Sequence, residues 1–186
     1  MRFSMFYRGD LKANRGSKDK QALRRHFHGQ LKELWSHLPL SDNLELLQAA
    51  ALPGKVSVIR QVGPFQFAPL VSSVLDMTAE LDIVMLRPGP PGSLITHGGD
   101  IDNRLKTLLD ALKIPSEPNA LPSDASPASD ETPFFTLLED DKLLTGVSVR
   151  TDRLLDPTAG KSEVLLLIRV VTNASRATFA NLGLSG

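Results

Sequence analysis

Hydrophobic positions recur three and four residues apart between Lys18 and His37. This spacing places them on one face of an amphipathic helix, with basic residues on the remaining faces. Pro39 should end the helix, and Ser41 or Asp42 can cap a second helix that runs to about Ala51. The apolar positions of the first helix are Leu23, Phe27, Leu31, Leu34, Trp35 and Leu38.

Short stretches of alternating or continuous apolar residues predict strands on both sides of another helical pattern. A loop with three prolines and four glycines, Arg87–Gly99, separates the strand Ala79–Leu86 from the helix Ile101–Lys113. The other predicted strands are residues 1–8, Lys55–Val62, Phe65–Val74, Leu143–Arg150 and Glu163–Thr172. The last two are expected to pair through a turn around residues 156–160. This order predicts an α+β fold in which helices pack on a mixed β-sheet.

The length of 186 residues favours a single domain, residues 1–186, and the 41% of hydrophobic residues suffices for an ordinary core. Within it we expect a basic N-terminal helical part (1–54) and a core (79–173) that contains the candidate site. Residues from about 115 to 133, here called the acidic segment, are rich in Pro, Ser, Asp and Ala. That composition predicts a mobile surface insertion that contributes little to the core.

The composition excludes several classes of function. The chain has no cysteine, which rules out disulfides, zinc thiolate sites and thiol nucleophiles and favours a reducing compartment. The first ten residues contain charges rather than the apolar run of a signal peptide, and no apolar run approaches the length of about 20 residues that spans a bilayer. We therefore expect a soluble, cytoplasmic protein with no membrane partner.

Charge is unevenly distributed although the formal net charge is zero. Residues 1–40 contain nine Lys or Arg against three Asp or Glu, whereas residues 115–141 contain seven acids and no base. Arg24, Arg25 and Lys32 could bind phosphate groups, with a solvated helix face as the alternative explanation.

Two aspartates, Asp100 and Asp102, stand at the entry to the helix Ile101–Lys113. Carboxylates at this spacing can converge on one point while the first is still in extended chain, and a divalent cation such as Mg²⁺ would relieve their repulsion. One acid of the Asp140–Asp141 pair would suffice as a further ligand. The structural alternative is that the aspartates cap the helix and take part in an i, i+4 series of charges on its surface.

Read together and in order, these residues resemble the RusA family of Holliday junction resolvases (crossover junction endodeoxyribonucleases) of bacteria and prophages. That family has an extended strand, a D-x-D-N-x-x-K motif, an ALDAL-like helical continuation, and an apolar residue followed by Asp-Asp before a further strand. The similarity covers about 90 residues of the C-terminal half. The matching positions are 81–86, Asp100, Asp102, Asn103, Lys106, 109–112, Leu138, Asp140 and Asp141, followed by the strands 143–149 and 164–171.

The resemblance implies a homodimeric, Mg²⁺-dependent endonuclease, with Mn²⁺ as an alternative ion, that acts in DNA recombination and repair by nicking four-way DNA junctions in pairs. By position in the motif, Asp100, Asp102 and Asp141 would be the metal ligands, and Lys106 would be the essential lysine. Asp140 would support the metal ligands without binding the ion itself. Metal ions would activate water and stabilise the leaving oxygen, while the lysine would offset charge on the scissile phosphate.

The expected contacts with branched DNA come from two places. Asn103 and Arg104 lie within the motif itself, and Asn103 could also orient a metal ligand. The basic helix adds Arg24, Arg25 and Lys32, which could supply the phosphate-binding surface.

The chain departs from the family pattern at two points: Thr96–Gly99 replaces a basic run before the first aspartate, and the negatively charged stretch Ile114–Leu137 replaces a short connection. Two other functions therefore stay open. One is a catalytically inactive RusA-like module that binds nucleic acid or a protein. The other is a metal-dependent phosphohydrolase for a small phosphorylated substrate, with the acidic segment as a lid.

Overall fold

The computed structural model describes residues 1–11, 16–48, 56–90 and 100–184, with only the backbone of Asp100. In this part of the chain, strands form two sheets and helices pack against them, which confirms the predicted α+β class. The helices and strands are β1 (Arg2–Asp10), α1 (Ser17–Trp35), β2 (Arg60–Val62), β3 (Phe65–Val71), β4 (Met77–Arg87), α2 (Asp100–Leu112), β5 (Phe134–Leu138), β6 (Leu144–Arg153) and β7 (Glu163–Ala174).

The larger sheet has the strand order β1–β7–β4–β6. Strand β7 is antiparallel to both of its neighbours, whereas β4 and β6 are parallel, so the sheet is mixed as predicted. The prediction that β6 and β7 pair with each other is wrong, because β4 lies between them. Strand β4 buries every second residue, from Met77 to Met85, and it lies in the interior of the sheet with a neighbour on each side.

The smaller sheet has the order β2–β3–β5, with β3 and β5 parallel. Only Arg60–Val62 of the predicted strand Lys55–Val62 is extended in a sheet; Lys55 lies outside the described residues. Gly63 follows with a φ of 54°, a left-handed conformation that glycine adopts without steric cost in the tight turn to β3. Strand β2 pairs with β3 only as far as Phe67, so β3 has one neighbour beyond that point and tolerates Pro69.

Helix α1 confirms the predicted helix and buries Leu23, Phe27, Leu31 and Trp35. Leu38 was predicted to lie on the same apolar face, but it is 72% exposed because the helix ends before it. Among the described residues, no helix has the length and the apolar character needed to cross a membrane.

The second predicted helix is instead a 3₁₀ helix, Leu40–Leu47, preceded by Pro39. Neither Ser41 nor Asp42 caps it, and Asn43 has non-helical dihedral angles in its middle (φ −124°, ψ 32°). A segment this short gains too few hydrogen bonds to offset the cost of forming a regular α-helix. The predicted end at Ala51 lies outside the described residues.

The acidic segment contributes more to the core than its composition predicted. A short 3₁₀ helix, Pro118–Ala120, leads to Leu121, which is 5% exposed and packs in an apolar cluster with Phe65, Phe67 and Phe134. Glu131, near the other end of the segment, is equally buried. The expectation of a small core contribution is therefore wrong for Leu121, while the mobility of the segment stays a prediction.

Candidate functional site

Helix α2 presents two of the predicted site residues together. Asp102 and Lys106 are exposed and lie four residues apart, so their side chains share one face of the helix. Leu108, Ala111 and Leu112 are buried in the core on the opposite side. The amphipathic pattern of α2 thus directs the charged pair to solvent.

The end of β5 brings the second acidic motif to the same helix. The N–H of Ile114, just after α2, donates to the carbonyl of Leu138 at 3.0 Å, and Lys113 and Leu138 form an isolated parallel bridge. The N–H of Glu139 donates to Val71 of β3 at 2.9 Å. These bonds fix the chain immediately before Asp141, which therefore lies beside the C-terminal end of α2.

As a result, Asp102, Lys106 and Asp141 line one open pocket of about 300 Å³. The other lining residues are Leu105, Leu109, Asp110 and Lys113. Within the described part of the chain, no three His, Cys, Asp or Glu side chains are grouped as a metal site. The side chain of Asp100 is not among those described, so the structure shows two of the three predicted carboxylates and places both at one pocket.

Lys113, which sequence reasoning did not single out, neutralises the acidic side of this pocket. Its Nζ lies 2.6 Å from Oδ2 of Asp141 and 3.8 Å from Oδ1 of Asp110. A further lysine, Lys20 of α1, contacts the other oxygen of Asp110 at 2.6 Å. The hydrogen bond from Lys113 lowers the pKa of Asp141, whose side chain is 50% exposed. The only sequence signal for this lysine was its i, i+3 spacing from Asp110.

The two acids before Asp141 have other partners. Asp140 caps the short 3₁₀ helix Asp141–Leu143, and its Oδ1 accepts the N–H of Lys142 at 3.0 Å. This local bond gives Asp140 a structural role next to the pocket.

Glu139 is a structural carboxylate. Its Oε2 accepts hydrogen bonds from the hydroxyl of Ser72 (2.8 Å) and from the N–H and hydroxyl of Ser73 (2.7 Å each), and its Oε1 accepts one from Nε of Arg60 (3.1 Å). Burial alone would raise the pKa of Glu139, but the bonds from Ser73 and Ser72 and the charge of Arg60 outweigh it and lower the pKa to about 2. These contacts tie β5 to β2 and to the turn after β3.

Arg24, predicted to contact DNA, is 2% exposed. Its guanidinium donates to the carbonyls of Asp110 (2.8 Å) and Lys113 (3.3 Å), at the C-terminal end of α2. Those carbonyls have no partner within the helix, and a cation there also complements the helix dipole. Burial lowers the pKa of Arg24 to about 10, so the group stays charged at neutral pH. Its expected role in phosphate binding is therefore corrected to a structural one.

Arg104 is also buried, and its guanidinium donates to the carbonyl of Leu11 just after β1. This contact ties α2 to the end of β1, so a role in DNA contact is corrected in the same way. Asn103 is half-buried, and its carbonyl accepts the hydroxyl of Thr107 at 3.0 Å.

Arg25 and Lys32 lie on the exposed face of α1, as predicted, but both have acidic partners. Arg25 contacts Glu131 at 2.7 Å, and Lys32 contacts Asp130 at 3.7 Å. The acidic segment therefore lies against the basic face of α1.

The pocket on α2 offers hard oxygen ligands next to ammonium groups, a combination that suits a divalent cation together with a phosphate group. No protein-family model, curated protein or solved structure matches this chain. The function is therefore inferred from the residues that line this pocket and from their arrangement.

Proposed function

We propose that this protein is a Mg²⁺-dependent, structure-selective DNA endonuclease that resolves four-way junctions by paired nicks, as a homodimer in the cytoplasm. One observation supports the proposal most directly: Asp102, Lys106 and Asp141 line the same pocket, although the chain between the last two is more than thirty residues long. The RusA-like motifs require this meeting of α2 with the second acidic motif. The spacing of these residues in the sequence does not by itself bring them together.

The residues present fit a magnesium ion by their chemistry. Asp102 and Asp141 provide carboxylate oxygens from the two ends of one pocket, since Asp102 lies in the first turn of α2 and Asp141 beside its last, and Asp100 stands at the start of the same helix. Mg²⁺ needs few protein carboxylates because it keeps several of its waters. When bound, the ion would activate a water molecule and stabilise the oxygen that leaves the phosphate.

The remaining roles belong to side chains of the pocket. The ammonium group of Lys106 can pair with the scissile phosphate and offset the charge that develops on it. Lys113 lowers the pKa of Asp141, which is ionised at neutral pH, and pairs with this carboxylate until a cation takes its place. Asp110 holds Lys113 and Lys20 near the pocket.

The proposal is tested by incubating the protein with a synthetic four-way junction, a matching duplex and a single strand, in Mg²⁺ or in EDTA. We expect paired nicks in the junction alone, lost in EDTA and in Asp102→Asn. Glu33→Gln is the matched control, since Glu33 is exposed and pairs with His37, just after α1.

Two results would contradict the proposal. Junction binding without cleavage, alike in the wild type and Asp102→Asn, would favour the inactive binding module. Release of phosphate from a nucleotide or sugar phosphate, with no nicking of any DNA, would favour the phosphohydrolase.

A further inference from the structure

Three cations on α1 form a straight row. Lys18, Arg25 and Lys32 are spaced by seven residues, which is close to two helical turns, so they share one face at intervals of about 10.5 Å. We call them the cation row. All three side chains are substantially exposed. The row therefore presents positive charge along about 21 Å of the helix surface.

The acidic segment supplies a partner to every member of this row. Nζ of Lys18 lies 3.3 Å from Asp124, and Arg25 and Lys32 contact Glu131 and Asp130. Backbone carbonyls add to these contacts: Arg25 donates to that of Ser126 at 2.9 Å, and Lys32 to that of Asp130 at 3.0 Å. The row is thus surrounded by carboxylate and carbonyl oxygens, acceptors of the kind that a phosphate backbone provides.

The contact between the row and the segment leaves an open groove at the surface. The groove has a volume of about 490 Å³ and lies between Lys18, Gln21 and Arg25 on one side and residues 122–126 on the other. Gln21 is 2% exposed, and its Nε2 has no hydrogen-bond partner among the described residues. Its Oε1 accepts a hydrogen bond from Arg24 at 2.5 Å, so the amide belongs to the buried contact between α1 and α2.

Two of the three ion pairs add little to hold the segment in place. The pairs Lys18–Asp124 and Lys32–Asp130 join exposed groups, and such pairs contribute little stability in water. Leu121 and Glu131, both buried, fix the segment at its two ends. Between these two points Ala125 packs against the apolar cluster of Leu121, whereas Asp124 and Asp130 are exposed and contact the row through charge, for which a polyanion can compete.

We propose that the cation row is a binding surface for the phosphate backbone of DNA, and that Asp124 and Asp130 occupy its two ends, Lys18 and Lys32, in the free protein and are displaced when DNA binds. This inference rests on the proposed function for its choice of polyanion. The basic helix would bind phosphates, and the acidic segment would compete with them. Polyanions with few phosphates would then fail to displace the segment, whereas DNA with enough phosphates at the right spacing would displace it.

The test measures binding of a fluorescent four-way junction in EDTA, where no cleavage occurs. Asp124→Asn with Asp130→Asn removes two exposed competitors and leaves buried Glu131 intact, so affinity should rise about 3- to 10-fold. The matched control, Asp42→Asn with Glu45→Gln, makes the same change in net charge at exposed positions of the 3₁₀ helix Leu40–Leu47 and should have a smaller effect.

The converse variant, Lys18→Gln with Lys32→Gln, should weaken binding and lower the slope of log affinity against log salt by about two. Amide hydrogen exchange in residues 122–130 should increase when DNA is added. Equal affinities for the wild type and both double variants, unchanged exchange, or no DNA binding at all would each overturn the inference.

This outcome is separable from that of the proposed function. If the protein binds DNA with the predicted changes but never cleaves it, the endonuclease proposal fails and the cation row stands. If it cleaves junctions while both double variants bind like the wild type, the row is wrong and the endonuclease stands.

Discussion

Glu139 and Asp141 belong to the same short acidic run, yet the structure places them in opposite environments. Glu139 accepts four hydrogen bonds from three residues of β2 and the turn after β3, and its pKa falls to about 2. Asp141 is half-exposed, and one lysine at the end of α2 is its close ionic partner. The first carboxylate is saturated by fixed donors, whereas the second can exchange its partner for a ligand.

Glu139 and Asp141 carry the same charge and differ in the groups that donate to them. This difference distinguishes a structural carboxylate from one that can bind a ligand. Backbone N–H groups and short hydroxyl side chains cannot move away from Glu139 without disturbing the turn. Lys113 has a long flexible side chain, and Asp110 offers it a second carboxylate at 3.8 Å. Neutralising Asp141 should therefore change activity, while neutralising Glu139 should change stability.

The largest effect is expected for Asp141→Asn. Changing even the groups that support a metal ligand commonly lowers activity or metal affinity about 10- to 100-fold, so the loss of a direct ligand should lower junction cleavage more than about 100-fold. Because the carboxylate is exposed and has one ionic partner, the free energy of unfolding should change by less than about 1 kcal/mol. Single-turnover cleavage and urea denaturation measure the two quantities. A variant that cleaves normally would remove Asp141 from the site.

Glu139→Gln should give the opposite result. The amide keeps the shape but loses the charge that strengthens the bonds from Ser72, Ser73 and Arg60, at a cost of about 1.5–3 kcal/mol in the free energy of unfolding. Urea denaturation at neutral pH measures it, and cleavage per folded molecule should stay close to that of the wild type. If stability is unchanged but cleavage is lost, Glu139 belongs to the site, and the two acids do not differ in role.

Acid titration tests whether the hydrogen bonds to Glu139 depend on its charge. The pKa of Glu139 is lowered to about 2 from an ordinary value of 4.5, so its contribution to stability is complete above about pH 5 and is lost as the pH falls towards 2. Between pH 6 and 3 the wild type should lose about 1 kcal/mol more than Glu139→Gln, a value reduced for the partial solvent exposure of the group. Parallel stability curves for the two proteins would show that the bonds to Glu139 do not depend on its charge.

The sequence predicted the elements with strong periodicity and missed the contacts between distant residues. The bounds of strand β4 and helix α2 were predicted to within two residues, because burial of one face produces a hydrophobic period of two in a strand and of 3.6 in a helix. The partner of β6 was not found, since strands adjacent in sequence often pair but nothing local forbids β4 from lying between them.

At the candidate site, the RusA-like motifs singled out Asp102, Lys106 and Asp141, and the structure places these residues around one pocket. Their roles stay a prediction. The burial of Arg24 and the ion pair of Lys113 depend on how α1, α2 and β5 meet, which composition and spacing do not encode. A basic helix face looks the same in sequence whether its arginine binds phosphate or the end of another helix.

The smallest effect is expected for Lys113→Met, which removes the ammonium but keeps most of the length of the side chain. If Asp141 differs from Glu139 in having an exchangeable partner, the loss of that partner should change the free energy of unfolding by no more than about 1 kcal/mol. Mg²⁺ binding, measured by calorimetry without DNA, should tighten a few-fold because the ion no longer competes with the ammonium, whereas Lys113→Arg should leave it unchanged. Severe destabilisation by Lys113→Met, with restoration by Lys113→Arg, would mean that the lysine holds Asp141 as firmly as Ser73 holds Glu139, and the acid at the pocket would then be structural.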